Sequence, residues 1–132
     1  MASEAERRAK YEHNRRFLTT IQQPEYADWA ATAAFYAGLQ LVEALLAAKT
    51  TRDHSSHSAR NRILQETRSF LNIWRNYKPL YEASVAARYI DLDGTSYPEF
   101  HRWMSLEDVN RKLVNQNLNE IRRSVALQLR WP

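Results

Sequence analysis

Apolar residues recur along most of this chain at spacings of three and four, which is the pattern of amphipathic α-helices. Polar stretches or a proline interrupt the pattern at only a few places. Ser3 with Glu6, and Ser105 with Asp108, have the spacing of the capping box that begins many helices. The pattern predicts five helices, with Pro79 separating the third from the fourth. Their expected ranges are about 4–22, 24–49, 59–76, 79–90 and 106–130.

The second predicted helix is apolar almost all round, which is typical of the central helix of a bundle. Small residues spaced at four, such as Ala30, Ala34 and Gly38, form a ridge on this helix. Such a ridge allows another helix to approach closely, either in this chain or in a second copy. The bulky side chains expected to fill the core here are Trp29, Phe35, Tyr36, Leu39, Val42 and Leu46.

The composition also favours helices. Only two glycines and four prolines occur in 132 residues, which is too few for the tight turns of an all-β domain. Good helix formers (Ala, Leu, Arg, Glu and Gln) dominate the long stretches. A chain of this length with 44% hydrophobic residues can bury one shared core. We therefore predict a single all-α domain over residues 1–132, folded as an antiparallel bundle of about five helices.

Several classes of function are disfavoured. Because the chain contains no cysteine, it has no disulfide, no thiol nucleophile and no cysteine-based zinc site. No glycine-rich phosphate loop of the P-loop or Rossmann type occurs. The charged stretch 3–16 lacks the apolar core of a signal peptide, and no uninterrupted run of about 18 apolar residues is present. The prediction is a cytoplasmic protein without membrane contact.

The basic residues are mostly arginine, fifteen against four lysines, in a chain with a formal net charge of +4. Arginine presents a planar fork that suits two-point contacts with phosphate or carboxylate. This bias indicates an anionic partner such as RNA or a nucleotide. In the alternative interpretation, which stays open at this stage, these arginines lie on solvated helix faces and pair with the fifteen acidic residues.

A polar loop contains His54 and His57 close to Asp53, three side chains of a metal-ligating type. A closed zinc site needs about four ligands in a tetrahedral array. The other two histidines, His13 and His101, are distant in sequence, and nothing in the pattern brings them near. Loop histidines without a metal are the favoured interpretation, so we predict neither a metal nor a cofactor.

Another group of residues favours an anion site. Arg60 and Asn61 lie at the start of the third predicted helix, just after His57, and Arg88 lies near the end of the fourth. The first turn of a helix offers unpaired backbone N–H groups and a partial positive charge, which attract phosphate. Two arginines and an imidazole would strengthen that attraction. Ordinary surface arginines are the alternative.

Three segments of the chain resemble the HEPN superfamily of small helical domains. They are DWAATAAFYAGLQLVEALLA at 28–47, a polar loop ending in His57 before SARNRIL, and YKPLYEASVAARYID at 77–91. The similarity covers about residues 26–93, and the C-terminal helix of about 105–130 lies outside it. The resemblance implies an antiparallel helical bundle, frequently dimeric, and often encoded with toxin–antitoxin, CRISPR or other defence and stress systems.

Active members of this superfamily carry an arginine and a histidine four to six residues apart, which cleave RNA in a cleft formed by the dimer. Here Arg88 matches the arginine, but Asp93 stands five residues later and the next histidine is His101. A carboxyl group does not donate a proton near neutral pH unless its pKa is strongly raised. The departure from the motif therefore argues against ribonuclease activity of the usual kind.

The leading hypothesis is a HEPN-like domain, non-catalytic or weakly catalytic, that binds RNA or a nucleotide as a homodimer. The second hypothesis is a divergent metal-independent ribonuclease. The third is a protein–protein interaction module, with a partner such as a nucleotidyltransferase. The expected ligand-binding residues are His57, Arg60, Asn61, Tyr81 and Arg88. The candidates for a catalytic role are His57, Arg88 and His101.

Overall fold

The chain forms six main helices and two short 3-10 helices (Pro24–Tyr26 and Arg68–Phe70) within residues 2–88 and 100–132, which are the residues that this computed structural model describes. No β-strand occurs among them, so the predicted all-α bundle is confirmed. The last helix is α-helical at Leu106–Asp108, π-helical at Val109–Leu118 and α-helical again at Asn119–Leu129. The helices are α1 (Glu4–Leu18), α2 (Ala27–Lys49), α3 (His57–Glu66), α4 (Leu71–Arg88), α5 (Phe100–Trp103) and α6 (residues 106–129).

Serine side chains begin three of the helices. Ser3 accepts a hydrogen bond from the backbone N–H of Glu6 at 3.1 Å, and the Glu6 carboxylate accepts one from the Ser3 N–H at 3.4 Å. This exchange is the predicted capping box. Ser56 and Ser105 each accept a hydrogen bond from the backbone N–H three residues later, at the starts of α3 and α6. The caps at Ser3 and Ser105 depend on neighbours in sequence, which is why the pattern predicted them.

The predicted helix break at Pro79 is wrong. Helix α4 runs through this proline, and the chain instead breaks at Thr67, whose backbone is extended (φ −100°, ψ 115°). A proline inside a helix removes one backbone hydrogen bond and costs on the order of 3 kcal/mol. Burial of Ile73, Tyr77 and Leu80 along α4 offsets this cost. The third helix is accordingly shorter, and the fourth longer, than the sequence pattern indicated.

Helix α2 is the central element, as its apolar pattern predicted. Sixteen of its 23 residues are buried, and it packs against α1, α4, α5 and α6. By length and composition the stretch Pro24–Lys49 could cross a membrane, but 78% of its most apolar window is buried inside the bundle. Such burial is typical of the core helix of a soluble protein. The cytoplasmic location stays a prediction.

One stripe of α2 is not covered by the other helices. Trp29 and Tyr36 lie on this stripe and are exposed, so the expectation that both fill the core is wrong, whereas Phe35 is fully buried as expected. Positions 29, 36 and 40 point within about 40° of one another around a helix of 3.6 residues per turn. Because α2 is apolar on nearly every side, its hydrophobic pattern did not distinguish the open stripe from the packed ones.

The ridge of small residues on α2 serves packing within the chain. A Cβ atom at Gly38 would lie 2.8 Å from Leu80 Cδ1 of α4. It would also lie 3.7 Å and 3.8 Å from the Cδ1 atoms of Leu118 and Ile121 of α6. The missing side chain therefore allows α4 and α6 to approach the same point of α2. The ridge was expected to contact either another helix of this chain or a second copy. Two helices of the same chain, α4 and α6, occupy it.

Replacing Gly38 with valine should lower the free energy of unfolding by about 1–3 kcal/mol, because the added carbons force Leu80 to move within a filled core. Ala48→Val is the matched control. Ala48 is exposed on the same helix, so only a loss of helix propensity within about 1 kcal/mol is expected. Urea denaturation followed by circular dichroism measures both values, and equal effects would contradict the packing described for Gly38.

Candidate functional site

The buried ring of Phe35 on α2 is surrounded by side chains from the start of α3 and the second half of α4. Its centroid lies 5.8 Å from that of His57, 5.9 Å from that of Tyr81, and 5.7 Å from the guanidinium carbon of Arg88. The rings of His57 and Tyr81 are also close, with centroids 5.6 Å apart and planes tilted by 50°. Three predicted ligand-binding residues, distant in sequence, thus meet at one place. We call Phe35, Tyr36, His57, Tyr81 and Arg88 the Phe35 cluster.

Arg88 is held over the aromatic rings of α2. Its Nε donates a hydrogen bond to the backbone oxygen of Ser84 at 3.1 Å, and its Nη1 donates one to the hydroxyl oxygen of Tyr36 at 2.9 Å. The guanidinium carbon lies 5.8 Å from the Tyr36 ring, and both this ring and that of Phe35 are within the range of cation–π attraction. Tyr81, Ser84 and Arg88 follow at spacings of three and four, so α4 carries them on one side.

Arg60 is buried, with only 7% of its surface exposed, and it forms an ion pair with the equally buried Glu43 of α2. The Arg60 Nε donates a hydrogen bond to Glu43 Oε1, and His54 Nδ1 lies 3.0 Å from Oε2. Arg7 Nη2 of α1 lies 3.8 Å from Oε2. A buried carboxylate needs such partners because its removal from water is costly. Arg60, predicted as a ligand contact, therefore lies beneath the surface.

Arg60 also determines the tautomer of His57. Its Nη1 donates a hydrogen bond to His57 Nδ1 at 3.0 Å. Because a guanidinium group can only donate, Nδ1 must accept, and the proton of the neutral imidazole is on Nε2. Partial burial, followed by the charges of Arg60 and Arg88, lowers the pKa of His57. At neutral pH His57 is thus uncharged and carries its N–H donor on Nε2.

The structure does not bring the other predicted site residues into the Phe35 cluster. Asn61 lies on α3, and its buried Oδ1 makes no hydrogen bond within the described residues. His101 is exposed on α5, near Asp28 of α2, whose pKa is raised by burial. Asp28 precedes Phe35 by seven residues, or about 10 Å along the axis of α2, so His101 lies apart from the Phe35 cluster. Asp93, at the position where active HEPN proteins carry histidine, lies outside the described residues.

The two loop histidines have different partners. His54 bonds Glu43, whereas His57 bonds Arg60, so neither the pair nor Asp53 forms a shared ligand set. In the part of the chain that the structure describes, no three side chains of histidine, aspartate or glutamate are grouped as metal ligands. Both histidines take part instead in the hydrogen-bond network that links the loop and α3 to α2.

Glu43, the residue that anchors this site, is not among the residues that the sequence pattern predicts for it. The signal was present, because Glu43 is one of the few ionisable residues in the apolar helix α2, and a buried charge requires a partner. The partners could not be derived from the sequence. They come from α1, from the loop before α3 and from α3 itself, and only the packing of these segments brings them to Glu43.

The bundle and the Phe35 cluster together define a helical domain whose candidate site combines an arginine, a neutral histidine and aromatic rings. No family model, no curated protein and no solved structure matches the chain. An all-helical bundle agrees with the resemblance to the HEPN superfamily but is not specific to it. Membership therefore rests on the three sequence segments and stays a prediction.

Changing Glu43 to glutamine should lower the free energy of unfolding by about 3–5 kcal/mol, because it leaves the buried guanidinium of Arg60 without its counter-charge. Glu66→Gln is the matched control, since Glu66 forms an ion pair with Arg52 at 3.2 Å and both side chains are about half exposed. The loss expected there is within about 1 kcal/mol. Chemical denaturation compares the two variants. A loss at Glu43 no larger than that at Glu66 would contradict the anchoring role.

Proposed function

We propose that this chain is a HEPN-like helical domain that binds RNA or a nucleotide, with the phosphate held at the Phe35 cluster. The observation that carries the proposal is the meeting of His57, Tyr81 and Arg88 around one buried ring. These residues come from two helices, and the sequence pattern predicts all three as ligand contacts. Their convergence supports a common role.

The chemistry of the cluster suits a phosphate group. The guanidinium of Arg88 provides a permanent positive charge in a planar fork, which matches phosphate oxygens. The Nε2–H of His57 adds a neutral donor nearby, and the rings of Tyr36 and Tyr81 offer flat surfaces beside it. Neutral and cationic donors next to aromatic rings are the groups with which proteins bind nucleotides and RNA.

In this proposal Arg60 is a positioning residue. Its side chain is buried and its charge is paired with that of Glu43, while its Nη1 orients the imidazole of His57. The remaining parts of the proposal come from the resemblance: a homodimer, a setting in defence, stress or toxin–antitoxin systems, and a partner protein such as a nucleotidyltransferase.

Arg88→Ala should weaken binding of labelled RNA at low salt by about tenfold and reduce the salt dependence by roughly one phosphate contact. Arg75→Ala is the matched control, since Arg75 is exposed on the same helix but lies outside the cluster. Fluorescence anisotropy with labelled RNA and nucleotides measures the affinities. Binding should also fall in Arg60→Ala, provided that circular dichroism shows this variant folded.

Two results would contradict the proposal. Wild-type protein that binds neither RNA nor nucleotides would remove the function altogether. Binding that is the same in Arg88→Ala, Arg60→Ala and wild type would separate the function from the Phe35 cluster. A dimer that binds no nucleic acid would favour the interaction module instead.

The ribonuclease alternative relies on the proximity of His57 and Arg88, which lie 5.8 Å and 5.7 Å from the Phe35 ring centroid. The tautomer argues against it, because Nδ1 already accepts from Arg60 and Nε2 carries a proton, which leaves no free lone pair for a general base. We therefore expect no cleavage of structured or single-stranded RNA in the presence of a chelator. Cleavage lost in His57→Ala or in His101→Ala, with binding intact, would instead identify an enzyme.

A further inference from the structure

A groove runs along the open stripe of α2, next to the Phe35 cluster. Its first part is a cavity of about 340 Å³ between α1 and α2, walled by Phe17, Trp29 and Tyr36. Its second part is a cavity of about 600 Å³ with charged walls, among them Arg7. Gln40 lines both cavities, so the two adjoin at this side chain. We call the first part, with its three aromatic walls, the aromatic groove.

The walls of the aromatic groove are unusually exposed for large rings. Trp29 has 57% of its surface accessible, Phe17 has 53% and Tyr36 has 38%. A group of exposed apolar side chains marks an interaction surface more often than a chance arrangement. The polar residues of the groove are hydrogen-bonding or cationic, with Lys10 and Asn14 from α1, and none of its lining residues within 2–88 and 100–132 is acidic. The groove thus combines flat apolar walls with a rim that attracts anions.

The aromatic groove is joined directly to the Phe35 cluster. Tyr36 belongs to both, and its hydroxyl accepts the hydrogen bond from Arg88 Nη1 at 2.9 Å. A ligand whose phosphate lies at Arg88 would therefore have its next flat group beside Tyr36 and Trp29. On the other side, Arg7 Nη1 donates a hydrogen bond to Gln40 at 3.3 Å, which places a further cation where the two cavities meet.

We infer that the aromatic groove binds an unpaired nucleobase of single-stranded RNA whose phosphate is held at the Phe35 cluster, an inference that rests on the proposed function. Aromatic side chains stack on unpaired bases, whereas the bases of a duplex are stacked on one another and out of reach. Asn14 and Gln40 at the rim are able to hydrogen-bond base edges. A second copy of this chain fits less well, because its net charge of +4 has the same sign as Lys10 and Arg88.

The test compares a labelled single-stranded RNA 12-mer with a blunt-ended 12-base-pair RNA duplex at low salt, using Trp29→Ala. Loss of one stacking side chain should weaken single-strand binding roughly 5- to 150-fold and leave duplex binding unchanged. Trp29→Phe keeps an aromatic ring and should bind close to wild type. Trp103→Ala is the matched control, since Trp103 is 59% exposed and does not line the groove. Both alanine changes involve exposed side chains, so the fold should be retained.

The possible failures are distinguishable. Wild-type protein that binds no RNA overturns the proposed function and this inference with it. In the second case wild type binds RNA, but Trp29→Ala either binds both RNAs with wild-type affinity or loses affinity for both equally. Only the stacking groove is then overturned. If AMP displaces the 12-mer and binds with an affinity equal to that of the 12-mer, the groove is a site for a free nucleotide. This result would overturn its assignment to RNA. Sedimentation that changes from dimer to monomer in Trp29→Ala would assign the face to a second copy and likewise overturn it.

Discussion

Burial of one carboxylate, that of Glu43, determines how the elements around the candidate site are arranged. A charge inside an apolar helix is tolerated only where opposite charges and hydrogen-bond donors reach it. At Glu43 these groups come from α1, from the loop before α3 and from α3, through Arg7, His54 and Arg60. The ion pair with Arg60 ties the first turns of α3 to the middle of α2. The rest of the site is built on this attachment.

The attachment has a chemical consequence one turn earlier on α3. The same guanidinium that neutralises Glu43 donates to His57, so a structural ion pair selects the tautomer of a surface imidazole. Partial burial, followed by the neighbouring cations, lowers the pKa of His57 and keeps its ring neutral. Helix α4 adds Arg88 because its regular path continues through Pro79. Had the chain broken there, Arg88 would have no fixed relation to the ring of Phe35.

The exposed side of α2 follows from the same packing. Helices α4 and α6 approach α2 at Gly38, and α1 covers another side, which leaves one stripe open. In a helix that served only as a core element, polar residues would be expected on that stripe. Instead it carries Trp29 and Tyr36, and Tyr36 is hydrogen-bonded to Arg88. Exposed rings beside a held cation give this face both an apolar and an anion-attracting character, which is the combination that nucleic-acid binding uses.

The sequence by itself determined what depends on near neighbours: helical composition, the capping serines, and the apolar character that makes α2 central. It also selected His57, Tyr81 and Arg88, because residue chemistry and a family resemblance are visible without coordinates. Only the tertiary structure decided that α4 continues through Pro79, that Arg60 is buried, and that His101 lies apart from the Phe35 cluster. The physical reason is that propensity and capping act over three or four residues, whereas burial and ion pairing depend on which distant segments meet.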